Sequence, residues 1–175
     1  MKPRPVMVGI LILLLCGCAT PERKAAELQL RYAAARDLFE QTLKQYQLPS
    51  ADLQGEKKVR MLDLATAGYG EVLKRYSDQK LWCSLALCNL GNARAAQGRL
   101  DEAIKLYNRV AEEYPQQDWE VLQAWKSAAD LLWDAGRHDE ALEFCRKIVG
   151  QFDSDEEPTP IRQIVQGAKS RLVSN

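Results

Sequence analysis

The chain holds one histidine, His138, among 175 residues. A lone imidazole cannot form a two-histidine site, and it leaves a zinc centre short of a usual ligand. Net charge is as scarce: 24 Lys plus Arg stand against 24 Asp plus Glu, so no basic field exists to hold nucleic acid phosphates. Glycine-rich phosphate loops, Ser/His/Asp arrangements and paired metal ligands are also missing. No catalytic residue, cofactor or metal site is therefore assigned, and the chain reads as non-enzymatic. The composition that remains, 46% hydrophobic and 27% charged, is that of one folded domain able to bury a core.

Long apolar runs are lacking too. The ten residues from Val6 to Leu15 are too few to span a bilayer, which takes about 20. They follow Lys2 and Arg4 and precede Leu15-Cys16-Gly17-Cys18, the layout of a secretory signal with a small-residue cleavage site. Gly17 before Cys18 meets the small-residue requirement, whereas Leu15 before Cys16 is bulky. This stretch resembles the lipobox of bacterial lipoproteins. The resemblance implies cleavage after residue 17, lipid on Cys18, and, with Ala19 next, sorting to the outer membrane facing the periplasm. Several acyl chains on one residue suffice for stable anchoring. An uncleaved helical anchor and a plain secreted protein are the alternatives. Loss of Lys2 and Arg4 would leave the remainder net acidic by two. The thiols left would be Cys83, Cys88 and Cys145, an odd number. Cys83 and Cys88, five apart, face different directions on one helix, and all three read as small buried apolar residues.

The strongest positive signal is an internal period of 38 residues. Gly98-Arg99-Leu100-Asp101-Glu102-Ala103-Ile104 returns as Gly136-Arg137-His138-Asp139-Glu140-Ala141-Leu142. The register continues through Tyr107 and Cys145, Val110 and Ile148, Tyr114 and Phe152. An earlier, degenerate copy sets Asp63, Ala65, Tyr69, Val72 and Tyr76 on the same places. Apolar residues recur at three- and four-residue spacing, and Asp101 and Asp139 are expected as helix N-caps. Gly98 and Gly136 end the preceding helices. The unit is a helix, a glycine turn and a second helix.

Leu90-Gly91, Gly98, Ala103, Tyr107 and Pro115 resemble the Leu-Gly, turn Gly, Ala, aromatic and terminal Pro of the tetratricopeptide repeat. Trp125, Ala128-Ala129, Gly136 and Ala141 follow the same pattern, which Cys145 and Asp153 break. The fold expected is all-α: tandem αα-hairpins in a right-handed superhelix of about seven helices. Residues 1–17 are the signal, 18–22 a lipidated tether, 23–77 an N-terminal hairpin broken by Pro49-Ser50, and 78–153 two repeats. Residues 154–175 form an acidic linker and a capping helix that starts at Thr159-Pro160. Helix starts extended through Gln79-Lys80-Leu81 and Asp118-Trp119-Glu120 account for a period longer than the usual repeat. Gly68 and Gly70 suggest a close contact or a local bend.

The resemblance implies a concave face formed by the first helix of each pair, reading a protein or peptide partner. Carried over, its places are Leu85, Cys88, Asn92, Ala95 and Ala96, then Gln123, Lys126, Asp130, Trp133 and Asp134. Trp133 stands opposite Ala95 in register and reads either as an anchor beside a pocket or as packing against the capping helix. Trp125 reads as core and His138 as a half-buried staple. Asn92 and Lys126 match two clamp positions for a C-terminal carboxylate, but Cys88 and Ser127 depart from the others, so no such clamp is expected. The long repeat also resembles outer-membrane assembly lipoproteins of the BamD type, which implies an envelope scaffold. A pilotin-like helper of a secretin or pilus machine and a cell-wall enzyme activator are the alternatives.

Overall fold

The computed structural model describes residues 20–174. Lys2, Arg4, Cys16 and Cys18, and with them the signal and lipidation readings, lie outside the described residues. Within them the chain forms helices and no strand. Helix α1 (Pro21–Thr42) runs on through a π-helical segment (Leu43–Gln47) into α2 (Leu48–Ser50). Then follow α3 (Gly55–Arg75), α4 (Lys80–Ala96), α5 (Leu100–Glu113), α6 (Asp118–Asp134), α7 (His138–Phe152) and α8 (Thr159–Val173). With the first three segments counted as one rod, there are seven rods among the described residues, each packed on the next from α3 onward.

The first rod ends at Ser50, within the expected Pro49-Ser50 break, but Pro49 itself still lies in the helix. The wide turn before it absorbs the defect: the Leu48 amide bonds back to the Leu43 carbonyl, five residues away. The missing proline N–H therefore falls where the ordinary ladder is already interrupted. Buried Ser50 then donates its hydroxyl to the Gln47 carbonyl at 2.6 Å.

The 38-residue register is a register of burial. Ala65, Ala103 and Ala141 are wholly buried, and so, to within 1%, are Val72, Val110 and Ile148. Tyr107 crosses onto Gly91, where a Cβ would meet the ring at 2.6 Å. Gly68 makes the close contact expected of it, since a Cβ there would collide with the Thr42 side chain. Gly70 has open space. A second aromatic cluster holds the N-terminal hairpin: the Phe39 ring lies 5.4 Å from Tyr69 and 5.6 Å from Trp82.

The turns repeat as well. Gly98 and Gly136 both have φ of +75°. The Arg99 amide returns to the Arg94 carbonyl and the Arg137 amide to the Leu132 carbonyl, each at 2.9 Å. This is the Schellman closure, which needs a left-handed residue that glycine adopts without strain. The closure carries the chain into the next helix at Leu100 and at His138, one residue earlier than the expected caps. Asp101 and Asp139 consequently stand inside the first turn and cap nothing. They still suit the positive helix end, and Asp101 takes a 2.6 Å ion pair from Arg137 of the next repeat. Asp63, one period earlier but inside α3 and not at its start, accepts from Gln97 at 2.8 Å, so the same register place again reaches the glycine turn of the next hairpin.

Candidate functional site

Helices α4 and α6 form the first layer of the two repeats, and α7 and α8 complete it at one end. Two neighbouring stripes of α6, each of residues one helical turn apart, face two directions from this layer. Glu120, Gln123 and Ser127 look toward α4. With Leu85, Cys88, Asn89 and Asn92 of α4, and Trp119 at the edge, they line a hollow of about 190 Å³. Trp119, Gln123, Lys126 and Asp130 look toward α8. There α6 and α8 do not pack closely, and the gap is a second hollow of about 590 Å³. Cys145 and Ile148 of α7 form its floor, and Ile164, Gly167, Ala168 and Arg171 of α8 its far wall. Trp119 and Gln123 belong to both hollows, so the two make one groove across α4, α6 and α8.

The groove is polarised. At the α8 end Asp130 accepts from Lys126 Nζ at 2.6 Å and from Arg171 Nη1 at 2.7 Å. Burial alone would raise the Asp130 carboxyl, but these two cations overcome it and hold it below its ordinary value. At the α4 end Glu120 is only 7% exposed, and burial raises its carboxyl above the usual range, its own backbone amide offsetting part of this. Cys88 donates its thiol to the Glu120 carbonyl at 3.6 Å. Burial, with the Glu120 charge adding to it, pushes that thiol up to about 12, so it stays protonated and poorly nucleophilic. Cys83 and Cys145 are also buried and unpaired, their thiols raised chiefly by burial.

Leu85, Cys88, Asn92 and Gln123 thus fall in the smaller hollow, and Gln123, Lys126 and Asp130 in the larger. Ala95 and Trp133 line neither, and Ala96 and Asp134 are exposed away from both. The faces of Trp133 are occupied: His138 stacks on it at 4.5 Å, and the Arg171 guanidinium of α8 lies 5.2 Å from its centroid. Of its two readings, packing against the capping helix is the one the geometry matches. His138 is exposed, not half-buried, because the Trp133 ring it stacks on lies at the rim of the turn. Trp125 is core, 9% exposed and edge-on to Phe152 at 6.2 Å. Asn92 has a structural task, its side-chain carbonyl accepting from the Tyr107 hydroxyl at 2.7 Å.

Sequence reasoning did not single out Trp119, which is 45% exposed at the junction of the hollows, or the α8 wall. The signal for Trp119 was available, since it lies one turn before Gln123 on the same face. The α8 wall had none, because its distance from α6 is set by packing on α7.

A tetratricopeptide-repeat family model matches residues 84–117, and a second matches residues 120–156. No curated protein matches the chain at a significant level. The chain carries two tetratricopeptide repeats, each a helical hairpin preceded by additional helix: α4 starts at Lys80 and α6 at Asp118, before the matched residues. Such repeats generally mediate protein–protein contact, and the chain reads as a protein-interaction scaffold. Among the described residues no helix is long and apolar enough to cross a membrane.

Proposed function

We propose that this chain is a lipid-anchored scaffold of the bacterial outer membrane, facing the periplasm, that docks an envelope protein in the groove across α4, α6 and α8. The observation that carries the docking reading is the continuity of that groove. Two hollows meet at an exposed Trp119, with polar side chains along both walls and an apolar floor, the make-up of a recognition groove. The anchor rests on the sequence from Lys2 to Cys18. Helix α1 begins at Pro21, three residues beyond Cys18, under a cap in which Thr20 accepts from the Arg23 amide at 3.3 Å. Residues 21–30 of that helix are exposed throughout. They would act as a spacer of about 15 Å between a lipid and the repeats. No catalytic step belongs to this function; the work is to hold a partner at the membrane, and envelope protein assembly is the role the sequence resemblance implies.

Mass spectrometry of the mature N-terminus tests the anchor: an acylated Cys18 is expected, and an unmodified chain starting elsewhere contradicts it. Crosslinking in intact cells tests the dock. Gln123→Arg, which puts a bulky cation at the junction of the hollows, should lose the partner that the natural chain captures, while an unchanged crosslink would refute the groove.

A further inference from the structure

The geometry points to the chemistry of the partner: an extended peptide segment that places a lysine or arginine side chain in the smaller hollow, against the Glu120 carboxylate and beside Trp119. This rests on the docking reading above and deepens it.

Glu120 is the acidic side chain of the smaller hollow. It is nine-tenths buried and lines the hollow, yet no hydrogen bond or ion pair from any other described residue reaches its carboxylate. The other acidic side chain of the groove, Asp130, holds two cations. The carboxylate is not sealed in: among the described residues the buried polar side-chain atoms without a partner are the indole nitrogens of Trp82 and Trp125, so the Glu120 oxygens open on the hollow while the rest of the residue is packed. A carboxylate that is partly desolvated, unpaired and open to a hollow is a ready acceptor for a charge brought in from outside.

A cation completes it, and the surroundings select its kind. Among the described residues no three His, Cys, Asp or Glu side chains cluster as metal ligands. What surrounds Glu120 is instead suited to a peptide. Asn89, Asn92, Gln123 and Ser127 offer amides and a hydroxyl that match the donors and acceptors of an extended backbone. Leu85 and the exposed ring of Trp119 suit the aliphatic stem of a basic side chain, and the ring face attracts its charge. The hollow's volume of about 190 Å³ is that of one long side chain, not of a folded element. From there the segment would continue past Gln123 into the larger hollow, whose Lys126 and Arg171 make that end comparatively positive.

A positional library of capped nine-residue peptides, screened against the purified full chain, tests this. At one position Lys or Arg should be preferred about tenfold over the neutral isosteres norleucine and citrulline, as for one desolvated charge pair. Glu120→Gln, checked by thermal melting to be folded, should cut that preference below about twofold, while Glu120→Asp keeps it. A groove that binds peptides, with binding blocked by Gln123→Arg, but shows no basic preference overturns this inference and leaves the docking reading standing. So does a basic preference that survives in Glu120→Gln. Binding of no peptide, or binding indifferent to Gln123→Arg, overturns both.

Discussion

The Tyr107 ring lies on Gly91 with no room for a methyl group: a Cβ at position 91 would stand 2.6 Å from one ring carbon and 2.9 Å from the next. The contact joins α4 to α5 within one hairpin and delivers the Tyr107 hydroxyl to Asn92. Gly91→Ala must push the ring aside in a core where Tyr107 is 2% exposed. It should destabilise the chain by about 1–3 kcal/mol. Gly70→Ala, in open space on a helix, should instead stabilise by up to about 1 kcal/mol. Urea melts of the two variants should therefore move in opposite directions.

The unpartnered carboxylate of Glu120 gives a pH dependence with a defined sign. Its folded-state proton affinity is raised by burial, so the stability it contributes is complete below its unfolded value and is lost as pH rises through the folded value. Glu120→Gln has no such loss. Its melting midpoint should exceed that of the natural chain at about pH 7.5, and the gap should narrow toward about pH 4. A gap that stays constant with pH would show that folding does not shift the carboxyl, and a gap that reverses would show that a cation holds it down.

Asp130 behaves in the opposite sense. Lys126 and Arg171 hold its carboxyl down, so its contribution is present above the unfolded carboxylate range and is lost as pH falls through the lowered folded value. The side chain is about a third exposed, so Asp130→Asn should cost under about 1 kcal/mol near neutrality and less in added salt. Urea melts of variant and natural chain at neutral and acid pH should converge as the pH falls.

Much of this fold was legible because the 38-residue period writes the same local chemistry repeatedly. Gly98 and Gly136 both take the left-handed turn, and the alanines one turn further on are buried to the last atom. Where a residue type suits two adjacent places, the sequence decided less. Asp101 serves a cap or a first turn equally, and only the Schellman closure ahead of it selects the turn. Pro49-Ser50 marks the end of the first rod in the sequence, and only the wide turn before it shows why Pro49 itself stays helical. The groove was half legible: α6 carries Gln123, Lys126 and Asp130 on one face by helical spacing. The gap opposite them is tertiary, made by small Gly167 and Ala168 on α8 over Cys145 and Ile148. Trp133 stayed open between two readings because its neighbour in space is Arg171, 38 residues further on and on a helix outside the repeats.

The central claim is that the groove, and not the outer face, meets the partner. Photo-crosslinking residues placed singly at Gln123, at Lys126 and at exposed Glu143 on α7 separate the two in living cells. Gln123 and Lys126 should give the same discrete adduct and Glu143 none. An adduct of equal strength at Glu143, or its absence at both groove positions, would contradict the account.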